Sequence, residues 1–540
     1  MMKKWKQKEL YWLLAFSVCC FGGFYDWTAT LIGVAVCVVA ALKLRQNKQI
    51  KISKEKWIYF LLLQLLGMSL AMITAIDRGI NLVGILRFFP VVIWLLLAMQ
   101  YDKEDRDNAL MAVPHIGCLM IAVGLAGYLI PGLRDWLWAA DRLGGFFQYS
   151  NTCAVYFLLG MLILGDKKTE RDKIQWSILF WGILLTGSRT VMLLLLVVLL
   201  KELLGKTQDI KMKKIIGANV AAAVVTAFLV VLVSGSYQNL ARLATIFTSN
   251  STFYGRLLYW KDAFGLIINH PFGLGWKGYY YIQSAVQTGV YSTIYVHNDL
   301  LQAFLDGGWI AGLSFLMFMG AQIKKSPYRF ALLILFVHSL VDIDLQYIGI
   351  WFVVILMCGF GRENYVLKKD TVKYGRGIFV AVSLMFMYFT IAFGAEFFGD
   401  YETAIAWYPG YTQAKEEILA RTGNADAVNA LADEILEQNQ YSSLAYDAKA
   451  LVSYAKGDIY GFAENKKTVL ELEKYDITHY QDYRYLLLQY AEYAAESGDG
   501  EIVKFCYECV EEIESLLANV EKNTSALAWK LRDQPTLALE

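Results

Sequence analysis

Long apolar runs, separated by short polar gaps, occupy the chain from Leu10 to Phe397. A helix that crosses a bilayer needs about 20 apolar residues, and somewhat fewer inside a helical bundle. By this criterion the pattern predicts an all-α, polytopic membrane protein with about 13 transmembrane helices. The runs are Leu10–Phe24, Trp27–Leu42, Trp57–Ile76, Leu82–Gln100, Ala109–Ile130, Asn151–Gly165, Ile174–Leu185, Val191–Leu204, Ile215–Val233, Trp309–Ile323, Phe330–Ile343, Tyr347–Gly361 and Gly377–Phe397.

The gaps between the runs alternate in charge. Every second gap is rich in Lys and Arg, whereas the intervening gaps are not. Positively charged loops stay in the cytoplasm, so the alternation predicts a cytoplasmic N-terminus. The loop after Ile130, the turn Thr186–Arg189, the segment 234–308 and everything after Phe398 are then expected outside. The basic gaps are Lys43–Lys56, Asp166–Lys173, Lys201–Lys214, Lys324–Arg329 and Arg362–Arg376.

The composition agrees with a membrane protein. Of the 540 residues, 57% are hydrophobic and only 18% are charged, which is too apolar for an ordinary soluble domain. The formal net charge of +1 hides a segregation, because the inner loops are basic and the region after Phe398 is acid-rich. No nucleic acid is therefore expected as a partner.

The region 398–540 differs in pattern from the membrane domain 1–397. Ala, Glu, Leu and Lys are common there and apolar residues recur at helical spacing, which predicts a separate extracytoplasmic α-helical domain. Leu444–Asp458 and Leu486–Asp499 both run through Ala and Tyr into a Gly-Asp step. Such units resemble tetratricopeptide-like hairpins, whose stacked faces can bind cell-envelope assembly proteins. A helical domain without any repeat function fits the same pattern.

Some of the arginines lie in gaps that are expected outside the membrane, where arginine is scarce. Arg142, Arg189 and Arg256 each stand near a glycine at a membrane boundary. A guanidinium group forks towards two phosphate oxygens, so several arginines suit a diphosphate, although a single one can also extend to lipid headgroups. We expect the three together to bind a diphosphate, with Asn151 as a supporting residue.

Among the five histidines, His297 has the most informative surroundings. It precedes Asn298 and Asp299 directly before an apolar helical run, so polar neighbours can orient its ring. An imidazole with a near-neutral pKa is a natural general base for a hydroxyl nucleophile, whereas a capping or packing role fits the same position. Asp342 and Asp344 lie close together near an outer boundary, where they can act with His338 as a second polar group. Pairing with one of the arginines is the simpler explanation for these carboxylates.

No spacing of His and carboxylates suits a metal, and the chain has no Walker-type phosphate loop, so neither a metal nor a cofactor is expected. Cys506 and Cys509 have a C-x-x-C spacing but lack a second pair or a nearby His. Outside the cytoplasmic membrane there is no nucleotide pool. A synthetic transfer there needs a donor that is already activated, such as a sugar on a polyprenyl diphosphate.

In this order, the motifs resemble the O-antigen ligase and polymerase superfamily over roughly Arg142 to Asp342. The resemblance rests on the segments Gly255–Trp260, His270–Gly275 and His297–Gln302 and on the pair Gly307-Gly308. It implies a GT-C-like, metal-independent glycosyltransferase with a long outer loop and an undecaprenyl-diphosphate-linked donor. By the same resemblance, His297 matches the proposed base of the family. Arg142, Arg189 and Arg256 match positions assigned to the donor diphosphate.

The predicted function is an inverting transfer or polymerisation of an undecaprenyl-diphosphate-linked glycan onto an acceptor hydroxyl at the outer face of the cell membrane. The expected partners are a lipid-linked oligosaccharide donor, a glycan, lipid or protein acceptor, and membrane lipid. The alternative is a transporter or flippase of the same lipid-linked glycan, which requires polar residues through the midplane or two related halves. Only Arg87, within the fourth run, fits that alternative. A scaffold role of the C-terminal domain is compatible with both.

Overall fold

The computed structural model describes residues 8–47, 49–165, 169–205, 210–234, 250–367, 369–530 and 539. The membrane domain consists of helices, with two short antiparallel ladders, β1 (Ile50–Ser53) with β4 (Asn364–Leu367) and β2 (Trp138–Ala139) with β3 (Arg142–Leu143). The helices are α1 (Glu9–Cys19), α2 (Asp26–Gln46), α3 (Trp57–Leu70), α4 (Arg78–Ala98), α5 (Lys103–Leu110), α6 (Ala112–Tyr128), α7 (Pro131–Leu137), α8 (Ser150–Leu164), α9 (Glu170–Thr186), α10 (Arg189–Leu204), α11 (Ile210–Ser234), α12 (Asn250–Asn269), α13 (Gly278–Val286), α14 (Asp299–Lys325), α15 (Arg329–Ser339), α16 (Ile348–Met357) and α17 (Lys369–Phe397).

Each predicted apolar run coincides with a helix. Among the described residues, six helices are long and apolar enough to cross a membrane, and five shorter helices are apolar as well. An all-α, multi-pass membrane protein is therefore confirmed, whereas the count of about 13 crossings stays a prediction.

The predicted outer segment 234–308 is more regular than a loop. It contains α12 and α13, and residues 235–249 lie outside the described part. After α13 the chain runs to His297 and then into α14.

The two ends of the helical bundle carry different structures. At one end, the β1–β4 ladder lies near the last turn of α14, where Lys325 is 3.5 Å from Glu55. At the other end lie the start of α14 and the connection between α15 and α16. The polar residues singled out in the sequence gather at this second end.

Helix α14 is interrupted at Gly307-Gly308, where the backbone leaves helical geometry. Gly308 has a φ of +67°, and a Cβ there would lie 2.3 Å from the carbonyl oxygen of Pro271, so only glycine fits. The segment His270–Gly275 packs into this break, and the Trp309 amide donates to Pro271 O at 2.9 Å. The first turns of α14 are thereby fixed by tertiary contacts.

The C-terminal region forms a series of helices, and neighbours in the sequence pack against each other. Gly457 and Gly498 both end a helix with a positive φ, and the following Asp458 and Asp499 both cap the next helix. Each of the two Gly-Asp steps therefore connects two successive helices in the same way. The tetratricopeptide-like assignment stays a prediction. The helices are α18 (Tyr401–Trp407), α19 (Thr412–Leu419), α20 (Ala425–Gln438), α21 (Ser443–Ala455), α22 (Ile459–Leu472), α23 (Ile477–Glu496) and α24 (Gly500–Asn523).

This helical region packs on the end of the bundle where α14 begins. The Tyr408 hydroxyl donates to Gly79 O at 2.7 Å, just inside the start of α4. Lys474 Nζ donates to Ala285 O of α13 at 3.1 Å. The C-terminal region and the loop that carries His297 consequently lie on the same side of the bundle.

Candidate functional site

A buried carboxylate, Asp342, lies at the centre of the polar site. It occupies the connection between α15 and α16 and its side chain is buried. Its Oδ1 accepts a hydrogen bond from the Tyr149 hydroxyl at 2.7 Å, and its Oδ2 accepts one from Asn151 Nδ2 at 2.8 Å. Both donors come from the start of α8, so Asp342 joins α8 to the α15–α16 connection.

Arg142 reaches this centre through Asn151. Its Nη2 donates to Asn151 Oδ1 at 2.8 Å and its Nε donates to Thr186 O at 2.8 Å. Thr186 ends α9, and Arg189 begins α10 directly after the short turn that follows. Arg142 and Arg189 therefore flank one turn, as their positions near glycines suggested.

Arg256 approaches Asp342 from α12. Its Nη2 lies 3.5 Å from Asp342 Oδ2, and its Nη1 donates to Val341 O. Its Nε is buried and has no hydrogen-bond partner within the described part of the chain. Arg256 thus has an unused donor next to a mostly buried ion pair.

His297 faces the same carboxylate. Its Nδ1 lies 3.8 Å from Asp342 Oδ1, a distance that suits an electrostatic contact but not a direct hydrogen bond. The side chain keeps 24% of its exposure, which leaves the ring accessible. The residue has a φ of +49°, a conformation that needs support from its surroundings.

The helix that follows His297 is capped by its neighbour. Asn298 is the N-cap of α14, and its Oδ1 accepts from the Leu301 amide at 3.0 Å. Asp299 accepts from the Leu345 amide at 2.9 Å and so ties the start of α14 to the segment after Asp342. Of the roles considered for the His-Asn-Asp sequence, capping belongs to Asn298.

A short chain of hydrogen bonds supports the backbone beside His297. The Val296 amide donates to Gln302 Oε1 at 3.0 Å, and Gln302 Nε2 donates to Asp306 Oδ1 at 2.7 Å. The Val296 carbonyl accepts from Trp260 Nε1 at 2.9 Å. Both polar groups of the residue before His297 are therefore held in place.

The two carboxylates of the second polar group, Asp342 and Asp344, have different partners. His338 Nδ1 lies 2.5 Å from Asp344 Oδ2, and the Thr152 hydroxyl donates to Asp344 Oδ1 at 3.0 Å. His338 and Asp344 are both buried in the interior. Asp342 instead faces Arg256 and His297, so the expected pairing of Asp342 with an arginine is observed.

The charges around Asp342 determine its protonation. Burial alone would raise the pKa of this carboxyl group, but His297, His338 and Arg256 together hold the pKa well below its usual range. These neighbours therefore favour the ionised form of Asp342. It supplies a fixed negative charge that can orient the surrounding cationic groups.

The sequence did not single out Tyr149 or Asp306 as site residues. Tyr149 stands two residues before Asn151, and this proximity was its only signal in the sequence. Asp306 follows Gln302 by one helical turn, and this spacing explains their contact.

An apolar helical bundle with a hydrogen-bonded, charged site at one end defines this protein as a multi-pass membrane protein with a candidate active site at a membrane boundary. Residues 176–316 match the family model described as O-antigen ligase. The matched region carries Arg189, Arg256 and His297, and the match supports the O-antigen ligase superfamily that the motifs predicted. No curated protein matches the chain. The family indicates glycosyl transfer, as ligation or polymerisation, in cell-surface polysaccharide synthesis.

Proposed function

We propose that the protein transfers a glycan from undecaprenyl diphosphate to an acceptor hydroxyl at the outer face of the cell membrane. One observation carries the proposal: Arg142, Arg256 and His297, which come from distant parts of the sequence, converge on Asp342. An oriented imidazole beside arginines suits a reaction in which a hydroxyl group attacks and a diphosphate leaves.

In the proposed reaction, His297 accepts the proton of the acceptor hydroxyl. The oxygen then forms a bond to the anomeric carbon of the donor, while the bond from that carbon to the diphosphate oxygen breaks. A single displacement inverts the anomeric configuration. The lipid diphosphate leaves with the added negative charge, which Arg142, Arg189 and Arg256 stabilise.

Asp342 is less suited than His297 to be the base. Its side chain is buried, and both of its oxygens already accept hydrogen bonds from the start of α8. A carboxyl group whose pKa is held this low is also a weak proton acceptor. In the proposal it orients His297, balances the charge of Arg256 and stabilises the imidazolium that forms when His297 accepts the proton.

Arg87, the residue that favoured the transport alternative, has partners within the helical bundle. Arg87 Nη1 lies 2.8 Å from Asp26 Oδ1, and Arg87 Nη2 donates to Gln346 O at 3.2 Å. Its charge is thus balanced by a neighbouring helix, which is sufficient to account for an arginine inside the bundle.

The orientation belongs to the same proposal. The distribution of Lys and Arg among the loops favours an outer location for His297 and the C-terminal region. There the C-terminal region can bind cell-envelope assembly proteins. A reporter that is active only in the cytoplasm, fused after Glu540, should be inactive. An active fusion would place the site on the side where nucleotide-activated donors are available and would overturn the choice of donor.

The decisive experiment is a reconstitution in liposomes with a glycan on undecaprenyl diphosphate and a glycan acceptor. The expected result is a new glycosidic bond with inverted configuration and stoichiometric release of undecaprenyl diphosphate, unchanged in the presence of EDTA. Movement of the donor across the bilayer without a new bond would instead establish transport. Loss of transfer with EDTA and recovery with a divalent ion would refute the metal-independent mechanism.

A further inference from the structure

A cavity lies beside the candidate site, inside the membrane domain. It is formed by α3, α4, α14 and α16 and has an interior volume of about 80 Å³. This space is several times what one water molecule needs. Asp299, which follows His297 by two residues, is part of its wall.

The wall of the cavity contains both hydrogen-bond acceptors and hydrogen-bond donors. Asp299 and Asp306 present carboxylates, and Gln64 and Arg87 present N–H donors. All four side chains are buried. Arg87, Asp299 and Asp306 have hydrogen-bond partners within the protein. The wall they form is polar, so it suits a polar occupant better than an apolar one.

Gln64 gives the clearest indication of a ligand. It lies in the middle of α3, its side chain is 5% exposed, and its Nε2 has no hydrogen-bond partner among the described residues. Phe315 and Phe88 form the neighbouring apolar wall. An amide group in such surroundings needs an acceptor that the protein does not provide.

The chemistry of the wall restricts the occupant. Arg87 is already paired with Asp26, so little positive charge remains to bind an anion, and the number of polar groups opposes a lipid tail. A neutral compound with several hydroxyl groups satisfies both the acceptors and the donors. A sugar residue has this chemistry, and its C–H faces suit the apolar wall.

We propose that this cavity binds the terminal sugar residue of the glycan acceptor, which rests on the proposed transfer reaction. Arg142 and Arg256 approach the centre from the segment before α8 and from α12, whereas the cavity lies among other helices. With the donor diphosphate on the arginine side, the acceptor sugar enters from the cavity side. Asp299 of the cavity wall follows His297 by two residues, which brings the cavity next to the proposed base.

The test uses Gln64→Leu, because Asp299 and Asp306 also support the backbone around His297. The matched control is Gln322→Leu, which removes a second buried glutamine whose Nε2 is unpartnered within the described chain, near the opposite end of α14. Gln64→Leu should raise the KM for a short oligosaccharide acceptor about 3- to 10-fold, the effect of one lost hydrogen bond. The KM for the lipid-linked donor and kcat should change by less than about 2-fold in both variants.

A binding measurement separates this proposal from the transfer reaction on which it rests. The probe is oligosaccharides released by mild acid from the surface polysaccharide of the producing cell, observed by saturation-transfer NMR. Gln64→Leu should weaken their signal and Gln322→Leu should not. If wild-type protein transfers glycan while both variants keep the wild-type acceptor KM and signal, the cavity holds only water and the proposal is wrong. If wild-type protein transfers nothing, the proposed function itself fails.

Discussion

Asp306 determines which way the amide group of Gln302 points. The carboxylate accepts from Gln302 Nε2 at 2.7 Å, so Gln302 Oε1 is left to accept from the Val296 amide at 3.0 Å. Val296 directly precedes His297, whose backbone has a positive φ. The pair therefore holds the backbone of the proposed base in a conformation that most residues avoid.

The first prediction concerns this pair. Gln302→Glu replaces the donor that faces Asp306 by a second carboxylate oxygen, so kcat should fall by about 10- to 100-fold through displacement of His297. The double variant Gln302→Glu, Asp306→Asn restores one donor opposite one acceptor and should recover activity to within about 3-fold. Transfer rates at equal protein levels measure both effects. No recovery in the double variant would mean that the pair does not position His297.

The second prediction concerns His297. His297→Ala should retain binding of the lipid-linked donor but lose transfer by about 100- to 10,000-fold, the usual contribution of a general base. His297→Asn is the sharper variant, because Asn tolerates a positive φ and keeps a polar side chain. Since Asn298 already caps α14, asparagine at the preceding position has no capping function to restore. Wild-type transfer by His297→Asn would refute the catalytic role.

Arg256 is the subject of the third prediction. Arg256→Lys keeps the positive charge next to Asp342 but removes the forked donors, including the Nε that has no partner among the described residues. The KM for the lipid-linked donor should therefore rise by about 10-fold or more, because a single ammonium cannot reproduce two parallel hydrogen bonds. Arg134→Lys, at an exposed pair with Asp141, is the matched control and should leave the KM unchanged. Equal donor KM values for both variants would show that Arg256 only balances Asp342.

The fourth prediction concerns pH and the contact between the two domains. Burial raises the pKa of Asp77, at the start of α4, to about 6, and that of Glu416, in α19, to about 7. A carboxyl group with a raised pKa in the folded protein adds stability when protonated, and this contribution is lost as the pH rises through the raised value. Between pH 5 and pH 8 the free energy of unfolding of the wild-type protein should therefore fall by up to about 4 kcal/mol, because the two groups titrate over about three pH units in total and each unit corresponds to about 1.4 kcal/mol.

Asp77→Asn should reduce this loss, because asparagine caps a helix as well as aspartate does and cannot ionise. Thermal unfolding of the purified protein at pH 5 and pH 8 measures the difference. Asp135→Asn, at an exposed position of α7, serves as control and should follow the wild-type profile. If Asp77→Asn also follows it, ionisation of Asp77 does not act on the stability of the contact.

The sequence by itself determined the helices and their class. Apolar runs must be buried in lipid or protein, and in lipid every backbone group must be satisfied within the helix, so length and apolarity were enough to place α2, α4 and α6. The motif residues were also recognisable, because placing arginines or a histidine at a membrane boundary costs free energy unless the side chains have partners or a function. These signals are local in the chain.

The convergence of these residues was decided only by the tertiary structure. Asp342 is separated from Tyr149 by 193 residues and from Asn151 by 191, and nothing in the local pattern specifies such pairs. The same holds for Gly308 and Pro271, whose close approach sets the break in α14. Periodicity reports which face of a helix is apolar. The contacts of its polar groups depend on how distant helices pack, and that packing is a property of the whole bundle.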